Sequence, residues 1–162
     1  MKSFVAEDSF WELFPQAAIG VVVVKGMKSA AQIPQEDVDA IAALLDRANI
    51  DAERHLTSDT ISENAPVKAW REAYRQFKTK KGARCSVENL LKRVLKGKPV
   101  GHITPAVDIY NTVSLTYALP VGGEDLHAIE GNLRLTVTDG ADAFLPLGED
   151  ADDPTLPGEL AY

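Results

Sequence analysis

Residues able to do chemistry gather in the second half of the chain. Asp108 and Asn111 stand one helical turn apart in Val107-Asp108-Ile109-Tyr110-Asn111, and Asp125 follows the pair Gly122-Gly123. A carboxylate and an amide on a largely apolar helix face have two uses. They fix a neighbouring loop through hydrogen bonds, as buried polar groups commonly do, or they offer donors and acceptors to a bound amino-acid moiety. Spacing leaves both open. Val121-Gly122-Gly123 is too short to count as a phosphate loop, although it lets backbone N–H groups approach a ligand.

Cys85, the only cysteine, sits between Arg84 and Ser86, where a helix N-terminus and a cation lower a thiol pKa. That is a setting for a nucleophile; the commoner occupant is a small packing residue. His55, His102 and His127 show no metal-ligand spacing, so solvated or locally hydrogen-bonded imidazoles are expected, with no metal and no cofactor. Gly-x-Ser-x-Gly, P-loop and dinucleotide fingerprints are absent from the sequence.

Charge is distributed unevenly. The chain as a whole carries −7, yet from Pro66 to Val100 eleven basic residues face only Glu72 and Glu88, a local +9 that leaves −16 elsewhere. Arg71, Arg75 and Lys78 have helical spacing beside an aromatic row of Trp70, Tyr74 and Phe77, and Arg84 and Arg93 follow. Charged helix faces are usually just solvated. Three successive basic elements with interleaved aromatics also have the composition suited to phosphate contacts, and a one-signed local field steers an anionic partner despite a repulsive net charge.

These groups need a scaffold. A chain of 162 residues, 45% hydrophobic and 25% charged, is read as one globular domain spanning 1–162. The longest apolar run, Ala17 to Val24, is interrupted by Gly20 and falls short of the roughly 20 residues a membrane helix needs. Acids at Glu7 and Asp8 precede any apolar stretch, so no secretory signal is expected and a cytoplasmic location is. Phe4–Phe14 reads as an irregular lead-in or edge strand, and Ala17–Lys25 as a buried strand. Pro34 opens a helix to about Asn49. A basic helix carries Trp70 to Lys78, and Ser86 caps another that Gly97 ends. Thr104-Pro105 starts a third element running towards Tyr117. Asn132–Thr138 alternates as a strand, with Phe144–Leu147 and Glu159–Tyr162 as further strands. A strand reaching the last residue allows for a domain cut short at its C-terminus.

Val107-Asp108-Ile109-Tyr110-Asn111, Pro120-Val121-Gly122-Gly123-Glu124-Asp125 and Ile129-Glu130-Gly131 together resemble the B3/B4 domain, the editing module of the bacterial phenylalanyl-tRNA synthetase β subunit. Arg71 through Arg84, Ser86, Leu90 and Arg93 look more like its free-standing relatives. The resemblance covers about Ala65 to Tyr162 and implies an α+β fold, with helices packed on a mixed or mainly antiparallel sheet. It implies tRNA or other RNA as partner, through Arg71, Arg75, Lys78, Arg84 and Arg93, and a ligand pocket at Asp108, Tyr110, Asn111, Gly122, Gly123 and Asp125. The implied reaction is deacylation of a mischarged tRNA, a second selection step where the first discriminates too weakly. Two positions depart from the synthetase pattern: Tyr110 replaces a usual Thr and Gly122 a usual His. The aminoacylation and anticodon-binding parts are absent, so the chain is not a complete synthetase. The alternatives are a non-catalytic RNA-binding module and a binder of amino-acid-like small molecules.

Overall fold

The structure, a computed structural model, describes residues 2–162. Those residues divide into two compact units, each assembled from separated stretches of chain.

One unit comprises residues 2–20, 72–83 and 124–162. Its three-stranded mixed sheet has the order β1-β2-β3, with β1 at Phe4–Ala6, β2 at Leu133–Val137 and β3 at Leu160–Ala161. β1 runs parallel to β2, Val5 opposite Arg134, and β3 runs antiparallel to it, Val137 opposite Leu160. The alternation of Leu133, Leu135 and Val137 makes β2 the shared middle strand. Helix α1, Asp8–Leu13, follows β1 directly and is pinned to the sheet where the Val137 N–H donates to Ser9 Oγ at 3.1 Å. Phe10 is its buried residue, and its ring meets that of Phe14 at 5.6 Å. Gly140, at φ +91°, closes the turn after Thr138; a Cβ there would stand 2.6 Å from Pro157 Cδ, so only glycine fits.

The other unit comprises Val21–Arg71 and Arg84–Gly123. Helices α2 (Gln35–Asp51) and α5 (Pro105–Tyr117) pack together, with α4 (Ser86–Leu95) against α5. Acids Glu36 and Asp37 complement the first turn of α2, and helical spacing buries Leu45 and Ala48. Leu91 and Val87 of α4 and Leu115 of α5 complete the core with Val67 of α3 (Ala65–Ala73). Two buried amides organise its connections. Asn49 exchanges bonds with both backbone groups of Val100, accepting from its N–H at 2.7 Å and donating to its carbonyl at 3.1 Å. Asn64 accepts from the Ser58 N–H at 2.9 Å and donates to the carbonyls of Ser58, Thr60 and Ile61.

The α+β class holds, but several elements differ from the expected ones. Ala17–Lys25 is not a strand: its Ala17 N–H bonds Phe14 O at 3.0 Å in a turn, among the described residues no strand pairs with the run, and Val22 is 86% exposed. A β-branched run becomes a strand only where another edge accepts its hydrogen bonds, and among the described residues none does. The basic helix stops at Ala73 rather than continuing through Lys78. The Gln76 N–H bonds Ala73 O at 3.0 Å, tightening the last turn, and Lys78 then pairs through its backbone with Gly158 at 2.9 Å. Phe77 turns its ring edge-on to Phe14 at 6.2 Å. Sheet pairing and aromatic packing outweigh the helical spacing, so Trp70, Tyr74 and Phe77 share no helix face. Cys85, not Ser86, holds the cap position of α4. Phe144–Leu147 forms no strand either; Pro146 lacks the ladder donor and accepts instead from the Glu149 N–H in a turn.

Candidate functional site

Helix α5 begins where Thr104 accepts the Val107 N–H at 3.3 Å and Pro105 supplies the first helical φ. Asp108 is 5% exposed, and both its oxygens are engaged by the preceding loop. One accepts the Ile103 N–H at 2.9 Å; the other lies 3.1 Å from His102 Nδ1. The His102 Nε2 lies 3.4 Å from Asp46 of α2. This carboxylate therefore holds residues 102–103 against the start of α5, the loop-fixing use of a buried acid.

Asn111 behaves differently. It is 8% exposed, yet its side-chain amide has no hydrogen-bond partner among the described residues. One residue further on, Thr112 Oγ1 is fully buried and unpartnered. Buried polar groups without partners are few in native folds, and Thr112 Oγ1 is the one fully buried case among the described residues, while the Asn111 amide atoms keep some contact with solvent. Beside them, the Tyr110 ring lies against Gly123: a Cβ on that glycine would stand 3.7 Å from ring Cδ1. Gly122 faces open space, where a side chain would meet nothing within 4 Å. Five of the six expected pocket residues thus belong to one unit. Asp125 belongs to the other, where its carboxylate accepts the His127 N–H at 2.8 Å in a local turn. A cleft of about 310 Å³ lies at the first turn of α5, lined by apolar groups such as Ile33, Ile41 and Ile109 with Lys28; Tyr110 and Asn111 do not line it.

The cations sort by what they are paired with. Arg71 grips Glu88 in a fork, Nε to Oε2 at 3.0 Å and Nη2 to Oε1 at 2.6 Å. Glu88 is 3% exposed, and Arg84 Nε approaches its Oε1 at 3.6 Å. The hydrogen bond from Arg71 holds the Glu88 carboxyl below the ordinary range against the opposing effect of burial, and the same bond raises the Arg71 guanidinium. Arg75 pairs with Glu72 at 2.6 Å, and Lys80 with Asp153 at 2.9 Å. Arg93 donates to the Pro99 carbonyl at 3.3 Å, which leaves its charge uncompensated. Lys78 has no side-chain partner among the described residues; it and Arg75 lie in the sheet-bearing unit, whereas Arg71, Arg84 and Arg93 lie in the helical one. Arg71 and Arg84 meet at Glu88.

Cys85 is 3% exposed and burial raises its thiol, so it is a packing residue. His55 and His102 are locally hydrogen-bonded, as expected, His55 Nε2 lying 3.1 Å from the Thr116 carbonyl. Among the described residues no group of three or more His, Cys, Asp or Glu is placed to hold a metal ion, and no helix is long and apolar enough to cross a membrane. The roles of His102, Asn49 and Asn64 carry no spacing signal, because each pairing has one member in an irregular connection.

The family model of the B3/4 domain matches residues 69–161. No curated protein and no solved structure matches the chain.

Proposed function

From the premise that the chain belongs to the B3/4 domain family, we propose that it binds tRNA and hydrolyses the ester between a wrongly attached amino acid and the tRNA 3′ end. The observation that carries this reading is Asn111, a nearly buried amide with no hydrogen-bond partner among the described residues. An amide supplies two donors and an acceptor. Donors held rigidly in a site largely closed to water favour the oxyanion that forms as water adds to an ester carbonyl. In that reaction the water oxygen bonds the carbonyl carbon, the bond to the ribose oxygen breaks, one proton leaves the water and one is taken up by the ribose oxygen. Asn111 is the residue we assign to the carbonyl, and Tyr110 with Gly122 and Gly123 to the amino-acid side chain. The likeness of Val107–Asn111 and Pro120–Asp125 to the synthetase editing module supports the assignment.

The test is deacylation of a panel of correctly and incorrectly charged tRNAs, with binding recorded in the same samples at two salt concentrations. Cleavage of one misacylated species above buffer, lost in Asn111→Ala, is the expected result. Absence of cleavage for every species at saturating protein refutes the hydrolytic part. A second reading, a non-catalytic RNA-binding module, is favoured by Asp108, whose oxygens are both engaged, and by Gly122, which offers no side chain to activate water. Salt-sensitive binding without cleavage would select it.

A further inference from the structure

We propose that the last turn of α4 and the bend that follows it, carrying Lys92, Arg93, Lys96 and Lys98, form the phosphate-binding face of this chain; the proposal rests on the reading that the partner is RNA. Hydrogen bonding and burial decide which cations are free. Arg71 and Arg84 converge on Glu88, Arg75 is neutralised by Glu72 and Lys80 by Asp153. Among the described residues, Lys92, Lys96 and Lys98 have no ion-pair or hydrogen-bond partner for their side chains, and all three are exposed. Arg93 is exposed as well and spends only one donor on a neutral carbonyl, that of Pro99.

These four groups are brought together by geometry. On α4 the buried face is Val87, Glu88 and Leu91; Asn89, Lys92 and Arg93 are exposed, and Lys96 caps the helix, with no acid among them. Residues four apart on a helix have Cβ atoms roughly 5–6 Å from one another, so Lys92 and Lys96 stand as neighbours. Gly97, at φ +63°, then reverses the chain: its N–H bonds Val94 O at 2.9 Å and the Lys98 N–H bonds Arg93 O at 2.9 Å. The bend carries Lys98 back to the level of Arg93. Lys92 contributes weakly to holding down the Glu88 carboxyl, but that carboxylate is already engaged by Arg71 and Arg84. Part of the cationic excess complements the negative end of the α4 dipole, an effect that fades within one turn. Four cations in so short a space match a run of backbone phosphates better than a single small anion.

The experiment is fluorescence anisotropy of the full chain with an uncharged tRNA transcript across about 50–200 mM salt. Four neutralised phosphates give a log–log slope of about −2.8 to −3.6, hence a 50- to 150-fold loss of affinity across that range. Lys92→Gln, Lys96→Gln and Lys98→Gln combined should flatten the slope by about 2–3 units. Lys25→Gln, Lys28→Gln and Lys81→Gln combined remove the same charge elsewhere and should leave the slope near the wild-type value. Binding by the wild type with equal loss in both triple variants overturns the proposal and leaves RNA binding standing. A wild type that fails to bind tRNA at the lowest salt overturns the RNA reading itself. Tighter binding of polyglutamate than of tRNA overturns the proposal in favour of an acidic protein partner.

Discussion

Removing the carboxylate of Glu88 should destabilise the helical unit more than any other single charge change. Glu88 is buried on α4 and accepts two charge-assisted bonds from Arg71, at 2.6 and 3.0 Å, with Arg84 at 3.6 Å. Truncating one partner of a buried ion pair typically costs about 3–5 kcal/mol. The Arg71 side chain remains 34% exposed, so the orphaned guanidinium recovers part of its hydration and the expected cost of Glu88→Ala is about 2–3 kcal/mol. For a chain of this length that lowers Tm by roughly 4–12 °C. Glu88→Gln keeps one acceptor and should lose about half as much. Glu88→Leu with Arg71→Met removes both charges and should cost less than Glu88→Ala alone.

The pH dependence gives an independent check. The Glu88 carboxyl lies below its ordinary value of 4.5 in the folded chain, chiefly through the Arg71 hydrogen bond. Its stabilisation is therefore fully present above about 4.5 and is lost as pH falls through the lower folded value. Urea unfolding of wild type and Glu88→Gln at a series of pH values should show a gap that is constant near neutrality and closes in acid. A Glu88→Ala cost under about 0.5 kcal/mol, or a gap that widens in acid, would refute the reasoning.

Three further outcomes are expected. Asn49→Ala leaves the N–H and carbonyl of Val100 without their partner and should cost about 2–3 kcal/mol in denaturant unfolding, whereas a near-neutral variant would show that the connection to α5 is held by other contacts. Gly140→Ala places a methyl 2.6 Å from Pro157 Cδ at φ +91°, and should lower stability by about 1–3 kcal/mol; an unchanged melting curve would contradict that turn geometry. Cys85, buried and with its thiol raised, should react with a thiol reagent at pH 8 only as fast as the chain opens, so rapid labelling of the native protein would be the contrary result.

Local spacing was enough to place α2, α4, α5 and β2, because helical and alternating periodicities depend on residues a few positions apart. Thr104-Pro105 marks the start of α5, and the Asp108–Asn111 spacing puts both residues on its buried face. The sequence also established the charge asymmetry and, through Val107–Asn111 and Pro120–Asp125, the likeness to the B3/4 domain, whose family model matches over 69–161. Long-range partners were beyond it. Whether Val21–Val24 becomes a strand depends on an edge to pair with, and Phe77 and Lys78 leave the helical pattern for partners in distant stretches of the same unit. Asp108 and Asn111 look equivalent in the sequence; only the folding of residues 102–103 against α5 engages the carboxylate and leaves the amide free. Arg71 and Lys92 are equally cationic in the sequence, and a buried glutamate seventeen residues from Arg71 decides that one braces the fold while the other faces solvent. Charge is a property of composition, but its availability is set by pairing and burial, which exist only in three dimensions.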